Sequence, residues 1–262
     1  MRPLAGRRLW FVGIGGAGMS ALALVAKEWG AEVGGSDRAR SSYVERLEAA
    51  GIHVAIGHDA ANVPEGAEIV VSSAIAADNP EVAHARVKRR AELLAELVEL
   101  RPSAVVAGAH GKTTTTAMIA FVLDRLGRDP AFLIGGDIPQ LGGNARAGGG
   151  WLVAEGDESD RSLELLRPRL AVLTNVELDH HATFVSEAEV RELFEDWLAR
   201  APTWSPSRAS TPRARSRSRA SRGTSSSRHS PPSGRECRSR GRRGSRTRCG
   251  SSRGARGRAT SC

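Results

Sequence analysis

Residues 105–116 read VVAGAHGKTTTT, an apolar run that enters a glycine turn and leaves it as the start of a helix. In such an arrangement the backbone N–H groups around Gly108 and Gly111 point towards an anion, and the positive end of the helix dipole adds to the attraction. Lys112 is then placed to reach the β- and γ-phosphates of a nucleotide, and the Thr113 hydroxyl to bind Mg²⁺. The stretch therefore predicts a strand, a phosphate-binding loop and a helix.

This loop is shorter than the usual form of the motif. The common spacing is G-x-x-x-x-G-K-T, whereas Val106 stands at the position of the first glycine and leaves G-x-x-G-K-T. We expect a tighter variant of the loop. The alternative is an ordinary glycine turn before a helix, in which Lys112 and Thr113 follow by chance.

A second glycine-rich turn lies near the start of the chain. Residues 9–12 form an apolar run, residues 13–18 follow with the pattern G-x-G-x-x-G, and an apolar helix is predicted over residues 20–29. This order is typical of loops that bind a dinucleotide diphosphate at a helix N-terminus. The next predicted strand, residues 32–37, ends at Asp37, which could accept hydrogen bonds from ribose hydroxyls as in NAD sites. An NAD site and a turn or capping role for Asp37 both stay open.

Strands and helices alternate along the remainder of the first 200 residues. Further strands are predicted at residues 53–56, 69–71, 151–154 and 170–175, and further helices at residues 43–50, 91–100 and 114–126. The predicted fold class is α/β, with a Rossmann-like parallel-sheet domain followed by a P-loop α/β domain. Because Arg101-Pro102-Ser103 interrupts the pattern, we assign residues 1–101 to the first domain and residues 102–200 to the second.

Polar residues follow two predicted strands of the second domain. Glu155 directly ends one apolar strand, and His180 belongs to the polar segment after the next. Because parallel strands place their carboxyl ends at one edge of a sheet, we expect both side chains to lie near Lys112 and Thr113. Carboxylate oxygen is a preferred Mg²⁺ ligand, and imidazole is a less typical one that also suits Mn²⁺. The pattern predicts a joint site for phosphate and metal.

Other polar residues have simpler interpretations. Asp157 and Glu158 are compatible with a solvated loop, and residues 179–181 with a polar turn before a helix. His53 and His58 are expected to be structural or surface residues, because their spacing falls across a glycine turn rather than on one helix face.

The composition changes abruptly near Trp204. Residues 201–262 contain seventeen arginines, no lysine and one acid, Glu236, so the chain's formal charge of +9 conceals an acidic remainder. This tail has no Val, Ile, Leu, Met, Phe or Tyr and therefore almost nothing to bury against the entropy cost of ordering. We expect it to be disordered. A shifted reading frame is the origin we favour, and an arm that binds nucleic acid nonspecifically is the alternative.

The positions of the cysteines and the N-terminal sequence indicate in which cellular compartment the protein resides. All three cysteines lie in residues 201–262, so the preceding residues offer no disulfide and no thiolate ligand, which fits a reducing compartment. The uncharged run from Leu9 to Ala26 approaches the length of a membrane span. However, it contains four glycines, each of which weakens a helix by about 1 kcal/mol relative to alanine. We expect neither export nor membrane insertion.

Six motifs in this order resemble those of the Mur ligases. They are GIGGAGMS at residues 13–20, GSD at 35–37, SSAIAADNPE at 72–81, GAHGKTTTT at 108–116, EGDESD at 155–160 and TNVELDH at 174–180. No single motif is specific, but the ordered set is. The resemblance implies a three-domain cytoplasmic enzyme of peptidoglycan synthesis, in which ATP phosphorylates a substrate carboxylate and an amino group attacks the acyl phosphate.

The resemblance also implies cofactors, substrates and residue roles. The cofactors would be ATP and Mg²⁺, and the substrates UDP-N-acetylmuramate and L-alanine. The residues that bind ATP would be Gly108, His110, Gly111, Lys112, Thr113 and Thr114. The catalytic residues would be Lys112, Glu155 and His180, and the metal ligands Thr113, Glu155 and His180. The UDP-sugar pocket would be formed by Gly15, Gly16, Ala17, Gly18, Met19, Ser20, Ser36, Asp37 and Ser73.

Two departures from the family pattern lead to further expectations. The segment between Ala85 and Arg90 is shortened, which would cost the first sheet a strand. The resemblance stops near Arg200, so the ATP-binding domain would be incomplete and the domain that selects the amino acid absent. We therefore expect the chain as written to be inactive.

Two other functions stay open on the sequence alone. The first is an NAD-dependent oxidoreductase, which would use the glycine turn at residues 13–18 but leaves residues 105–116 unexplained. The second is a nucleic-acid-binding P-loop ATPase, which would use the basic tail.

Overall fold

The computed structural model describes residues 2–82, 87–179 and 183–206, the last four of these by their backbone alone. Two sheets follow each other along this part of the chain, and both are built mainly from parallel strands. The predicted α/β class is therefore confirmed.

The first sheet surrounds the strand that precedes the N-terminal glycine turn. Its elements are β1 (Arg8–Val12), α1 (Ala17–Glu28), β2 (Glu32–Asp37), α2 (Ser42–Ala49), β3 (His53–Ile56), β4 (Glu68–Val71), β5 (Val87–Arg89) and α3 (Arg90–Glu99). All five strands are parallel, in the order β3-β2-β1-β4-β5. Because β1 is central, its apolar residues are buried on both faces, as expected for a continuous apolar run in a parallel sheet.

The short strand β5 corrects one expectation. It pairs in parallel with Ile69–Val71 of β4, so the shortened segment before Arg90 does not cost the first sheet a strand. Helix α3 begins at the residue that follows β5, without an intervening loop.

The second sheet is organised around the strand that precedes the phosphate loop. Its elements are β6 (Ser103–Ala107), α4 (Lys112–Arg125), β7 (Ala131–Ile138), β8 (Gly143–Arg146), β9 (Leu152–Glu155), β10 (Leu170–Leu173), α5 (Glu187–Arg200) and β11 (Thr203–Pro206). The strand order is β11-β10-β6-β9-β7-β8. Strand β6 is fully buried and lies between β10 and β9, with all three parallel. The loops after these three strands therefore emerge at one edge of the sheet.

The antiparallel hairpin of β7 and β8 was not predicted. The glycine-rich sequence of residues 135–150 reads as a loop, yet part of it pairs with the apolar residues that precede it. The hairpin contacts the first domain. Asn144 Nδ2 donates to the Ala17 carbonyl at 3.0 Å, and Arg46 forms an ion pair with Asp137 at 2.7 Å. These contacts place the second sheet beside the N-terminal glycine turn.

Strand β11 lies within the segment that composition assigns to the tail. Its backbone pairs in parallel with Leu170–Leu173 of β10, so the sheet continues to Pro206, beyond the edge predicted at residue 201. These residues precede the arginine-rich run. The predicted disorder of the following residues lies outside the described part of the chain.

A network of four charged residues links the start of β1 to β4, β5 and α3. Arg7 donates two hydrogen bonds to Glu68, at 2.8 and 2.7 Å, and a third to Glu96 at 2.8 Å. Lys88 also forms ion pairs with both carboxylates. The hydrogen bonds from Arg7 lower the pKa of Glu68 below its ordinary value. The stability that Glu68 contributes is therefore present above that value and is lost as the pH falls.

We expect Glu68→Gln to lower the free energy of unfolding by about 1 kcal/mol near neutral pH, because the pair is bidentate and partly buried. The deficit should shrink as the pH falls through 4.5, the ordinary pKa of the residue. Urea unfolding at several pH values measures it. Glu32→Gln is the matched control, because the Arg8–Glu32 pair is exposed and should contribute little. Equal effects of the two substitutions would contradict the prediction.

Candidate nucleotide-binding site

The loop after β6 is held against the end of β10. Gly108 has a φ of +131°, and a Cβ there would lie 2.2 Å from the Thr174 hydroxyl oxygen. The His110 backbone N–H donates to the side-chain oxygen of Asn175 at 2.9 Å, and the Asn175 amide nitrogen donates to the His110 carbonyl at 3.0 Å. The two residues after β10 therefore fix the shape of the loop. Sequence reasoning placed this segment at the same edge but assigned neither Thr174 nor Asn175 a role.

Helix α4 begins at Lys112, two residues earlier than predicted. Gly111 is its N-cap and has a φ of +80°, a conformation that closes the turn and strongly favours glycine. Because glycine has no side chain to cap the helix, the first backbone N–H groups of α4 are left for a ligand. Thr114 is exposed in this first turn, and the side chain of His110 is exposed beside Glu177 at 3.6 Å.

The ammonium group of Lys112 lies within its own loop. It donates to the Gly108 carbonyl at 2.7 Å and forms an ion pair with Glu158 at 3.0 Å. The Glu158 side chain is only 3% exposed, so the solvated-loop interpretation is wrong for this residue. Its partner lies far from it in sequence, and only the folded sheet brings them together. Lys112 is therefore held in place by a buried carboxylate.

Glu155 faces the first turn of α4, at the end of β9. It accepts a hydrogen bond from the Gly135 N–H at 2.7 Å and another from the Thr113 hydroxyl at 3.2 Å. Burial raises the pKa of the Glu155 carboxyl above its ordinary value. A desolvated carboxylate next to a threonine hydroxyl supplies two oxygen ligands of the kind that Mg²⁺ uses together with phosphate oxygens. Glu155 and Thr113 are therefore suitable ligands for the Mg²⁺ ion that the sequence predicts.

The raised pKa predicts a gain in stability for Glu155→Gln. Because the folded chain holds the proton more tightly, the contribution of Glu155 to stability falls as the pH rises above 4.5. The neutral amide keeps an acceptor for the Gly135 N–H. We expect a gain of about 1 kcal/mol near neutral pH, which shrinks on acidification. Thermal unfolding measures it, with exposed Glu45→Gln as the control, and a loss of stability at neutral pH would contradict it.

At the end of β2, beside the N-terminal glycine turn, the side chains of Ser36 and Asp37 point in different directions. Asp37 accepts a hydrogen bond from the Gly15 N–H at 2.8 Å, so it shapes the turn directly. Ser36 is fully buried and contacts Glu81 and His58 instead. Successive residues of a strand face opposite sides of the sheet, so the structure does not bring Ser36 to the predicted pocket. His58 has the structural contacts that its spacing suggested.

The other predicted pocket residues differ in their surroundings. Gly16, Gly18 and Met19 line a cavity beside the turn. Ser20 is buried and donates to the Ala17 carbonyl at 3.0 Å, so its hydroxyl acts within α1. Ser73 is exposed after β4.

The cavity beside the N-terminal turn is shared between the two domains and has a volume of about 340 Å³. Residues of the first domain on its wall include Gly16, Gly18, Met19, Ser72 and Arg90, and those of the second include Lys112, Gly135, Glu155 and Asp157. Both glycine-rich turns therefore open onto one space. Ser72 was expected at the mouth of the N-terminal turn, whereas Gly135 and Arg90 were not assigned to the site by sequence reasoning.

His180 lies outside the described residues, and its role as a ligand stays a prediction. The roles that the resemblance gives to the other site residues also stay predictions. Within residues 2–82, 87–179 and 183–206 there is no group of three or more His, Cys, Asp or Glu side chains arranged to hold a metal ion. In the same ranges, no helix is long and apolar enough to cross a membrane.

The fold and the site together define a two-domain α/β protein with two glycine-rich turns at an interdomain cavity. Two family models match consecutive parts of the chain. The model described as "Mur ligase family, catalytic domain" matches residues 8–101, and the "Mur ligase middle domain" model matches residues 106–196.

Individual relatives agree with these matches. A UDP-N-acetylmuramate–L-alanine ligase of Burkholderia cenocepacia is 47% identical over 203 residues, which cover 75% of this chain and 44% of the relative. The crystal structure of UDP-N-acetylmuramate-alanine ligase from Thermotoga maritima has a TM-score of 0.71 at 32% identity, covering 76% of this chain and 48% of that one.

A third relative is covered over most of its length. The structure of a UDP-N-acetylmuramate:L-alanyl-γ-D-glutamyl-meso-diaminopimelate ligase from Neisseria meningitides has a TM-score of 0.69 at 32% identity, covering 76% of this chain and 69% of that one. The chain belongs to the Mur ligase family. It spans less than half the length of the curated relatives that it matches.

Proposed function

We propose that this chain carries the UDP-sugar-binding and ATP-binding parts of a ligase that joins L-alanine to the carboxylate of UDP-N-acetylmuramate through an acyl phosphate. The observation that carries the proposal is the shared cavity. Lys112 and Glu155 line it on one side, and the N-terminal glycine turn lines it on the other. The choice of substrates is supported by the 47% identity to a UDP-N-acetylmuramate–L-alanine ligase.

In the second domain, the polar groups at the cavity would bind the nucleotide phosphates and their metal ion. The N–H groups at the start of α4 and the ammonium of Lys112 provide positive potential where phosphoryl transfer concentrates negative charge. Thr113 and Glu155 would hold Mg²⁺ through oxygen atoms, and Mg²⁺ supplies further charge neutralisation when it is bound. Glu158 keeps the Lys112 ammonium at the loop until a phosphate takes its place.

In the first domain, the glycine turn at residues 13–18 would receive UDP. Its backbone lies at the N-terminus of α1, where a diphosphate is favoured by free N–H groups and by the helix dipole. Asp37 is committed to the Gly15 N–H, so in this arrangement it shapes the turn, whereas the NAD alternative needs it for ribose hydroxyls. The cytoplasm is the proposed location, since nucleotide substrates are met there.

Ligand binding distinguishes this function from the NAD alternative. We expect UDP and an ATP analogue with Mg²⁺ each to raise the melting temperature of the chain, and their effects to add because the two turns are separate. NAD at equal concentration should have no comparable effect. Stabilisation by NAD but not by UDP would contradict the proposal.

A phosphate-release assay tests the reaction itself. Any turnover should require UDP-N-acetylmuramate, L-alanine and ATP together. The expectation that the 262-residue chain alone is inactive stays a prediction, as does nonspecific nucleic-acid binding by its basic tail.

A further inference from the structure

The side chain of Arg90 lines the cavity between the two glycine-rich turns. Arg90 is the first residue of α3, in the first domain, and its side chain is 22% exposed. A Cβ placed on Gly18 would lie 3.5 Å from Arg90 Nη1, so the guanidinium packs directly against the N-terminal turn. It is therefore a cation at the wall of the pocket that UDP is proposed to occupy.

Within the described residues, the hydrogen-bond donors of Arg90 have no acceptor. Its nearest carboxylates are Asp157 and Asp160, each 3.9 Å from Nη2, which is too long for a hydrogen bond. Among the residues that the structure describes, none accepts a hydrogen bond from this guanidinium. Arginine donors in a partly desolvated position are normally satisfied by a carboxylate or a phosphate. Arg90 can therefore donate hydrogen bonds to an anion that enters the cavity.

We propose that Arg90 binds the diphosphate of the UDP-sugar, an inference that rests on the proposed function of the N-terminal turn. The position favours this anion over the ATP phosphates, because the guanidinium contacts Gly18 of the first domain. The ATP phosphates would have a cation of their own, Lys112, at the second turn. Asp157 and Asp160 hold the side chain electrostatically near this position before the substrate arrives. Arg90 would then exchange two distant carboxylates for direct hydrogen bonds to phosphate oxygens.

Binding of UDP and of uridine to two arginine variants tests the inference. Arg90→Met should weaken UDP binding by about 10- to 100-fold, the range for a lost charge-assisted hydrogen bond, and leave uridine and the ATP analogue unaffected. Arg90→Lys should recover part of the loss. Arg89→Met is the matched control, because the side chain of Arg89 is 70% exposed and paired with Glu92, and its UDP affinity should stay that of the unmodified chain.

The outcomes separate this inference from the proposed function. If the unmodified chain binds UDP and Arg90→Met binds it equally well, the inference is overturned and the UDP site stands. If Arg90→Met weakens binding of UDP-N-acetylmuramate but not of UDP, the arginine binds the sugar carboxylate and the inference is again overturned. If the unmodified chain does not bind UDP, both fail. Thermal unfolding of each variant confirms that a loss of affinity is not a loss of fold.

Discussion

Lys112→Met is expected to lower the affinity for an ATP analogue with Mg²⁺ by at least about 100-fold, the upper end of the range for one charge-assisted hydrogen bond. The substitution removes the ammonium that lies within the loop. It also leaves the buried carboxylate of Glu158, 3.0 Å from that ammonium in the folded chain, facing the incoming phosphates. The loss of attraction and the added repulsion act together, so the effect should exceed that of a single contact.

Two comparisons isolate the cause of this loss. Glu158→Gln in the Lys112→Met background should recover part of the affinity, because it removes the repulsion without restoring the ammonium. Arg191→Met on α5 removes a surface charge paired with Glu187 and should change nothing. Titration with a fluorescent ATP analogue measures all three variants. A folded Lys112→Met chain that binds within a few-fold of the unmodified one would show that this loop is not the ATP site.

Gly108→Ala is expected to lower the free energy of unfolding by about 3 kcal/mol or more, because steric overlap and backbone strain add. The new Cβ would lie 2.2 Å from the Thr174 hydroxyl oxygen and 2.8 Å from the Asn175 carbonyl oxygen. The loop cannot move away without breaking its hydrogen bonds to Asn175.

Gly127→Ala provides the matched control for this prediction. Gly127 also has a positive φ, +65°, but a Cβ there would meet nothing within 4 Å. Only the backbone strain of about 1–2 kcal/mol applies to it. Urea unfolding compares the two variants. Similar losses would mean that the loop is not clamped against the end of β10.

The order of strands and helices could be predicted from the sequence because each element carries its own pattern. The strands Glu32–Asp37 and His53–Ile56 have the bounds that were predicted. The phosphate loop was predictable for the same reason, because its glycines, lysine and threonine all lie within one short stretch of sequence. The meeting of Lys112 and Glu155 at one cavity follows from the parallel order of the strands.

The remaining features depend on contacts between distant residues. The hairpin of β7 and β8 forms within a glycine-rich sequence because its residues pair with each other and pack against α1. Glu158 reads as a solvated acid, and only the fold buries it beside Lys112. Ser36 and Asp37 are adjacent in sequence, and the resemblance gave them one role, but alternation along β2 sends them to opposite sides.

The central claim is that the loop at residues 108–113 binds the ATP phosphates. A crystal structure of the chain with a non-hydrolysable ATP analogue and Mg²⁺ tests it most directly. We predict that the Lys112 ammonium leaves Glu158 to bind a terminal phosphate, with Thr113 and Glu155 on the metal. A triphosphate bound instead at residues 13–18, with Lys112 still paired to Glu158, would contradict the claim.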